Sequence, residues 1–165
     1  MNRTEGLTGT TWYVPLAWLP ALRAINADEP RIEALVDQTV WRFHQCAEHY
    51  VTGVSATNTG DGWSYNLMVG SVAPDGRVKI SFSPLGALGE QSSQSITIGD
   101  GTLTEKDGKR TFLMQMTAGS VATSVTHWAY MMQVTRDDRE WHALPGYPDT
   151  GVPDLTGLST PIARV

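Results

Sequence analysis

The chain holds a single cysteine, Cys46, which excludes an internal disulfide and any Cys-x-x-Cys redox or zinc pairing. Cys46 reads as a small buried hydrophobe before it reads as a reactive thiol. Lys and Arg form no cluster and the net charge is −5, so the dense local cations that phosphate backbones require are missing and nucleic acid is not an expected partner. Long apolar runs are missing too. The longest stretch free of Asp, Glu, Lys and Arg, Thr111 to Thr135, is rich in Thr, Ser and Gln and is interrupted by Ala118-Gly119-Ser120. It reads as two strands and a turn, with no membrane span. Behind Met1 the residues Asn2, Arg3, Thr4 and Glu5 lead into no apolar segment, which sets the expectation of no secretory signal and a cytoplasmic location. Gly-x-Gly-x-x-Gly, a Gly-Lys-Ser/Thr phosphate loop and a Gly-x-Ser-x-Gly elbow are all absent, which removes nucleotide-dependent and serine-hydrolase chemistry; no cofactor is expected. Paired acids for glycoside cleavage stay open, although Asp and Glu sit mainly in turns and at Asp137, Asp138 and Glu140, as solvated charges do.

What is present is the signature of a β protein. A length of 165 residues fits one domain, 1–165, with a core over about 7–136 and an extended Pro/Gly-rich tail over 137–165. Trp63, Tyr65, Leu67 and Val69 alternate with Ser64, Asn66, Met68 and Gly70; Pro74-Asp75-Gly76 then turns the chain into Val78, Ile80 and Phe82. Ile96-Thr97-Ile98 meets Gly99-Asp100-Gly101, Thr102 to Lys106 meets Asp107-Gly108, and Arg110 to Thr117 runs through Ala118-Gly119-Ser120 into Val121 to Val134. Each of these small-residue steps reads as a turn. Asp28-Glu29-Pro30, followed by Ile32, Leu35 and Val36 on one helical face, predicts one short helix. From Gln38 to Ala56 the Thr, Val, Trp, Phe and Tyr content favours two strands. About eight antiparallel strands joined by short turns solve their edge problem by closing, so the fold class is all-β, an up-and-down barrel; a two-sheet sandwich is the alternative.

The segment Leu7-Thr8-Gly9-Thr10-Thr11-Trp12-Tyr13 resembles the first strand of the calycin barrels, the lipocalins and avidins, in which a Gly shortly precedes a Trp. One extra residue separates Gly9 from Trp12 relative to their Gly-x-Trp spacing, and the avidin biotin-site tryptophans have no counterparts, so biotin is not implied. The resemblance implies a barrel with Trp12 near its closed end, covered by an arginine after the last strand such as Arg136.

An eight-stranded barrel has room inside for packed side chains or one small ligand, which makes its interior the place to look for function. Thr126 to Met132 faces Phe112 to Thr117. Alternation puts Trp128, Tyr130 and Met132 on one face and His127, Ala129, Met131 and Gln133 on the other, and likewise separates Phe112, Met114 and Met116 from Leu113, Gln115 and Thr117. Sequence does not decide which face is inward. Methionines and aromatics make a deformable apolar wall, so Trp63, Tyr65, Phe112, Met114, Met116, Trp128 and Met132 are the ligand-binding candidates, with core packing as the competing reading. His127 is the candidate for proton transfer, with Gln115 or Thr117 as orienting partner, and Tyr130 is the candidate if the other face points inward. His44, Cys46 and Glu48 would share one strand face, but they lack the recognisable spacing and second ligand pair of a zinc site, and no metal is assigned. Three functions follow: binding of a small apolar or aromatic molecule in the barrel; a cofactor-independent isomerase, cyclase or lyase using His127 or a Tyr as acid or base; or a filled barrel that meets a protein partner through surface tryptophans such as Trp18 and Trp141. Homodimerisation stays open.

Overall fold

In a computed structural model, described here over residues 4–14, 19–58, 62–85, 96–120, 122–134 and 153–158, nine antiparallel strands form one closed sheet. They are β1 (Thr11–Tyr13), β2 (Leu19–Ile25), β3 (Arg31–Ala47), β4 (Tyr50–Asn58), β5 (Trp63–Val72), β6 (Arg77–Pro84), β7 (Ile96–Lys106), β8 (Lys109–Gly119) and β9 (Thr123–Val134). From β3 to β9 each strand pairs with the next in sequence. The seam is closed by β1 and β2 together. β1 lies between Val40–Arg42 of β3 and Met132–Val134 of β9, and β2 lies further along the same two strands, against Arg31–Asp37 and Thr123–His127. The nine elements therefore fill eight strand positions of an up-and-down barrel, an architecture compatible with a calycin-like fold. Among the described residues no helix is long and apolar enough to cross a membrane.

Two expectations are corrected. The helix expected after Pro30 is the first half of β3, where residues 31–37 pair along β2. There Glu33 and Leu35 share the inner face, while Ile32 is 75% exposed. The apolar helical stripe is only three residues long, and the barrel needs this segment extended to close against β2, so tertiary pairing overrides the local pattern. Gly99-Asp100-Gly101 is no turn either, because β7 runs straight through it. Its glycines are inward-facing: a Cβ on Gly99 would stand 2.8 Å from Met116 Sδ, and one on Gly101 would collide with the Leu113 carbonyl oxygen. Close approach, not chain reversal, fixes glycine at these positions. The remaining turns obey their chemistry, with positive φ at Gly76 and at both Asp107 and Gly108.

The half of the barrel nearest β1 is packed solid. Phe112 sits at its centre, with ring centroids 4.6 Å from Trp12, 5.6 Å from Phe43 and 5.8 Å from Trp41. Val51, Met68, Val78, Ile80, Leu103, Met114 and Met131 fill the space around these rings. The end is capped by the N-terminal segment. Leu7 is buried in the core, Gly9 N–H donates to the Phe43 carbonyl at 2.8 Å, and Phe43 N–H donates to the Thr10 carbonyl at 3.0 Å. Trp12 is fully buried there, and its indole N–H donates to Thr10 Oγ1 at 2.8 Å. The arginine over the Trp12 ring is Arg110, at 5.9 Å, where the calycin resemblance suggested one such as Arg136; Arg136 itself lies outside the described residues. Arg110 also donates to the carbonyls of Glu5 and Gly6, each at 3.0 Å, and to Gln133 Oε1 at 2.7 Å, tying the cap to β9.

A second apolar cluster lies outside the barrel wall. Tyr13, Val40, Val54, Ala56 and Val134 are buried there together with Leu155 of the C-terminal segment. Burial in this cluster raises the Tyr13 phenol well above its ordinary range.

Arg110→Met keeps much of the aliphatic stem over Trp12 but removes every guanidinium hydrogen bond. It is expected to cost about 1–2 kcal/mol in urea unfolding and to speed amide exchange at Gly9 and Phe43. Unchanged exchange at those two amides would show that Leu7 alone holds the cap.

Candidate functional site

The packing stops half-way along the barrel. Beyond it, at the end away from Trp12, lies an open cavity of about 440 Å³. Trp41, Phe82 and Met116 form its floor, and Trp41 and Phe82 stand in mutual ring contact at 5.4 Å. The walls divide by chemistry. On β8 and β9 they are Ala118, Val125 and His127, whereas on β3, β4 and β5 they carry Thr39, Thr57, Ser64 and Asn66. Leu35, Pro84, Leu85 and Thr97 complete the lining. Among the described residues that line it there is no Asp, Glu, Lys or Arg.

The polar wall is held by its own hydrogen bonds. Thr39 Oγ1 donates to the Ala56 carbonyl at 3.1 Å and lies 3.3 Å from Thr57 Oγ1. Ser64 Oγ donates to the Thr57 carbonyl at 3.2 Å, and Asn66 Nδ2 reaches Ser55 Oγ at 3.4 Å. Sequence reading missed this wall because it favoured the apolar row of β5. In the barrel Ser64, Asn66 and Met68 are the inward row, and Trp63, Tyr65, Leu67 and Val69 form the outward one. The outward row is apolar because Trp63 and Leu67 pack against the outer cluster that Leu155 completes. Trp63 and Tyr65 still border the cavity, at its rim.

His127 does lie on the inner face, between Ala21 of β2 and Met116 of β8. Its Nδ1 is 3.4 Å from the Trp128 carbonyl oxygen. Gln115 and Thr117 cannot orient it from β8, since both are on the exposed outer face. Of the wall residues singled out from sequence, Met116 borders the cavity, while Phe112 and Met114 point inward but lie deeper, in the packed half. Trp128, Tyr130 and Met132 occupy the opposite face of β9; Trp128 is 57% and Tyr130 40% exposed on the outside. They do not line the cavity, because the alternation that turns His127 inward turns them outward.

His44, Cys46 and Glu48 do not converge. A bulge between Phe43 and Gln45 breaks the strand alternation at His44, and Glu48 lies in the β3–β4 turn with positive φ. Among the described residues no group of three or more His, Cys, Asp or Glu gathers into a metal site. Burial raises the Cys46 thiol above its ordinary value, which keeps it protonated and unreactive. Burial, aided by the Arg42 charge, holds His44 below its ordinary value against an opposing hydrogen bond with the Leu155 backbone.

No family model, no curated protein and no solved structure matches the chain.

The His44 shift has a pH consequence. Below its ordinary value of 6.5 the unfolded chain takes up a proton that the folded chain resists, so this contribution to stability is present above that pH and is lost as acid is added. His44→Gln is expected to flatten the fall in Tm between about pH 7 and about pH 5; parallel wild-type and variant curves would exclude His44 as the source.

Proposed function

We propose that this protein binds a small molecule with an apolar or aromatic body in the open half of its barrel. The observation that carries this reading is the cavity itself, about 440 Å³, within the range of small-molecule sites, concave, and floored by Trp41, Phe82 and Met116. Flat rings stack on indole and phenyl faces, and the Met116 thioether adapts to their edges. An open cavity of this kind speaks against a filled barrel that serves only as an interaction domain.

A second reading, a cofactor-independent isomerase, cyclase or lyase, is favoured by His127 alone. It is an imidazole on a cavity wall whose described lining residues include no Asp, Glu, Lys or Arg, and imidazole is the side chain most used as a general acid or base. Tyr130, outside the barrel, is no longer a candidate for that role.

Nile red, a neutral dye whose emission reports a dry environment, is expected to bind saturably with a blue shift. Ala118→Trp, which fills the mouth from β8, should abolish the shift while leaving Tm nearly unchanged; Val125→Trp on β9 serves if that variant does not fold. A wild-type protein that gives no saturable shift would overturn the reading. For the catalytic alternative, His127→Gln should keep Nile red affinity and lose about 10²–10⁴-fold in turnover of a substrate found by screening, whereas equal turnover would remove His127 from the chemistry.

A further inference from the structure

The positions of protons on the cavity wall say more about the occupant than its volume does. A carbonyl oxygen can only accept, so the Thr39 hydroxyl spends its proton on the Ala56 carbonyl. Its contact with Thr57 Oγ1, at 3.3 Å, is then made by the Thr57 proton. Ser64 likewise donates its proton to the Thr57 carbonyl. Both Thr57 and Ser64 are left with lone pairs alone to offer a ligand. Across the barrel, His127 Nδ1 lies 3.4 Å from the Trp128 carbonyl oxygen. Asn66 and Thr97 can serve in either sense, and the Trp41 indole N–H can only donate.

We propose that the cavity selects a neutral ring compound bearing a hydroxyl, a phenol or an alcohol, over the corresponding ether, ketone or carboxylate. This rests on the cavity-binding reading above and adds the chemical class. A hydroxyl donates to the lone pairs of Thr57 or Ser64 and still accepts from Trp41 or Asn66. An ether or ketone can accept from Trp41 or Asn66 but has no proton for Thr57 or Ser64, whose lone pairs it covers without pairing them. A carboxylate meets the same acceptors with a full charge and no cation among the described lining residues. The nearest described charges on that face, Arg23 and Glu33, lie in the register row of Val125, one row beyond His127, and are paired at 2.8 Å, with Arg31 also bridged to Glu33 at 2.8 Å.

Three probes with one ring system test this at pH 7, each competing against bound Nile red: 2-naphthol, 2-methoxynaphthalene and 2-naphthoate. Apolar burial alone favours the methoxy compound, which is the larger and more apolar of the two neutral probes. The expected result is nevertheless that 2-naphthol binds about tenfold tighter than 2-methoxynaphthalene, one well-made hydrogen bond, with 2-naphthoate weakest. Thr57→Val, near-isosteric, should shrink the naphthol advantage and leave methoxynaphthalene affinity unchanged or improved; Ser64→Ala, at a more exposed position, makes the same test if that variant does not fold. Equal or tighter binding of 2-methoxynaphthalene, tightest binding of 2-naphthoate, or displacement of Nile red by none of the three would overturn the inference while leaving the cavity reading standing. Failure of Nile red itself to bind would overturn that earlier reading.

Discussion

Everything in this barrel is arranged around Phe112. Three aromatic rings from two other strands, Trp12 of β1 and Trp41 and Phe43 of β3, converge on it, so a residue of β8 reaches across the interior to both strands at the seam where the sheet closes. Each such pair adds about 0.5–1.5 kcal/mol beyond the area it buries. The geometric effect matters more for function. The aromatic cluster fills the barrel from β1 up to Trp41 and no further, because above that level the inward positions of β4, β5 and β7 are Thr57, Ser64, Asn66 and Thr97, too small or too polar to continue it. The cavity is the complement of the cluster, and Trp41 belongs to both.

The wall has two apolar sides because it is covered on two sides. An antiparallel sheet with one wet face alternates apolar-in with polar-out, and β6 does so with Val78, Ile80 and Phe82 buried between exposed Arg77 and Lys79 and half-buried Ser81. On β4 the outward residues Val54 and Ala56 are as buried as the inward Ser55, since Leu155 packs with them in the outer cluster. That covering releases the interior of β4 and β5 from supplying the core and lets it carry hydroxyls and an amide. The polar cavity wall is thus a consequence of where the C-terminal segment lies.

This explains which parts were legible in the sequence. The β5–β6 and β7–β8 hairpins were readable because Pro74-Asp75-Gly76 and Asp107-Gly108 have a local backbone requirement, positive φ, that only a few residue types meet. The closed barrel was readable from strand number and turn length. The inward direction of β5 was not, because its apolar row packs on an outer cluster formed by residues distant in sequence. Gly99 and Gly101 misled for a related reason: glycine marks both turns and close approach, and only the facing Met116 and Leu113 distinguish the two. His127 was identified as a candidate and does reach the cavity; its proposed partners Gln115 and Thr117 failed because strand alternation places Met116 opposite it.

Among the described residues Asp, Glu, Lys and Arg stand at the entrance and off the cavity lining. Beyond the row of Leu35, Ala21 and His127, the inner face of β2 and β3 continues as Glu33 and Arg23, with Arg31 completing a second bridge to Glu33 at 2.8 Å. Both guanidiniums lower the Glu33 carboxyl and hold it ionised. Ion pairs this exposed add little to folding. Their placement matters more: two guanidiniums share one carboxylate, so among the described residues the formal charges of this face gather at the rim, while the described lining residues carry no Asp, Glu, Lys or Arg.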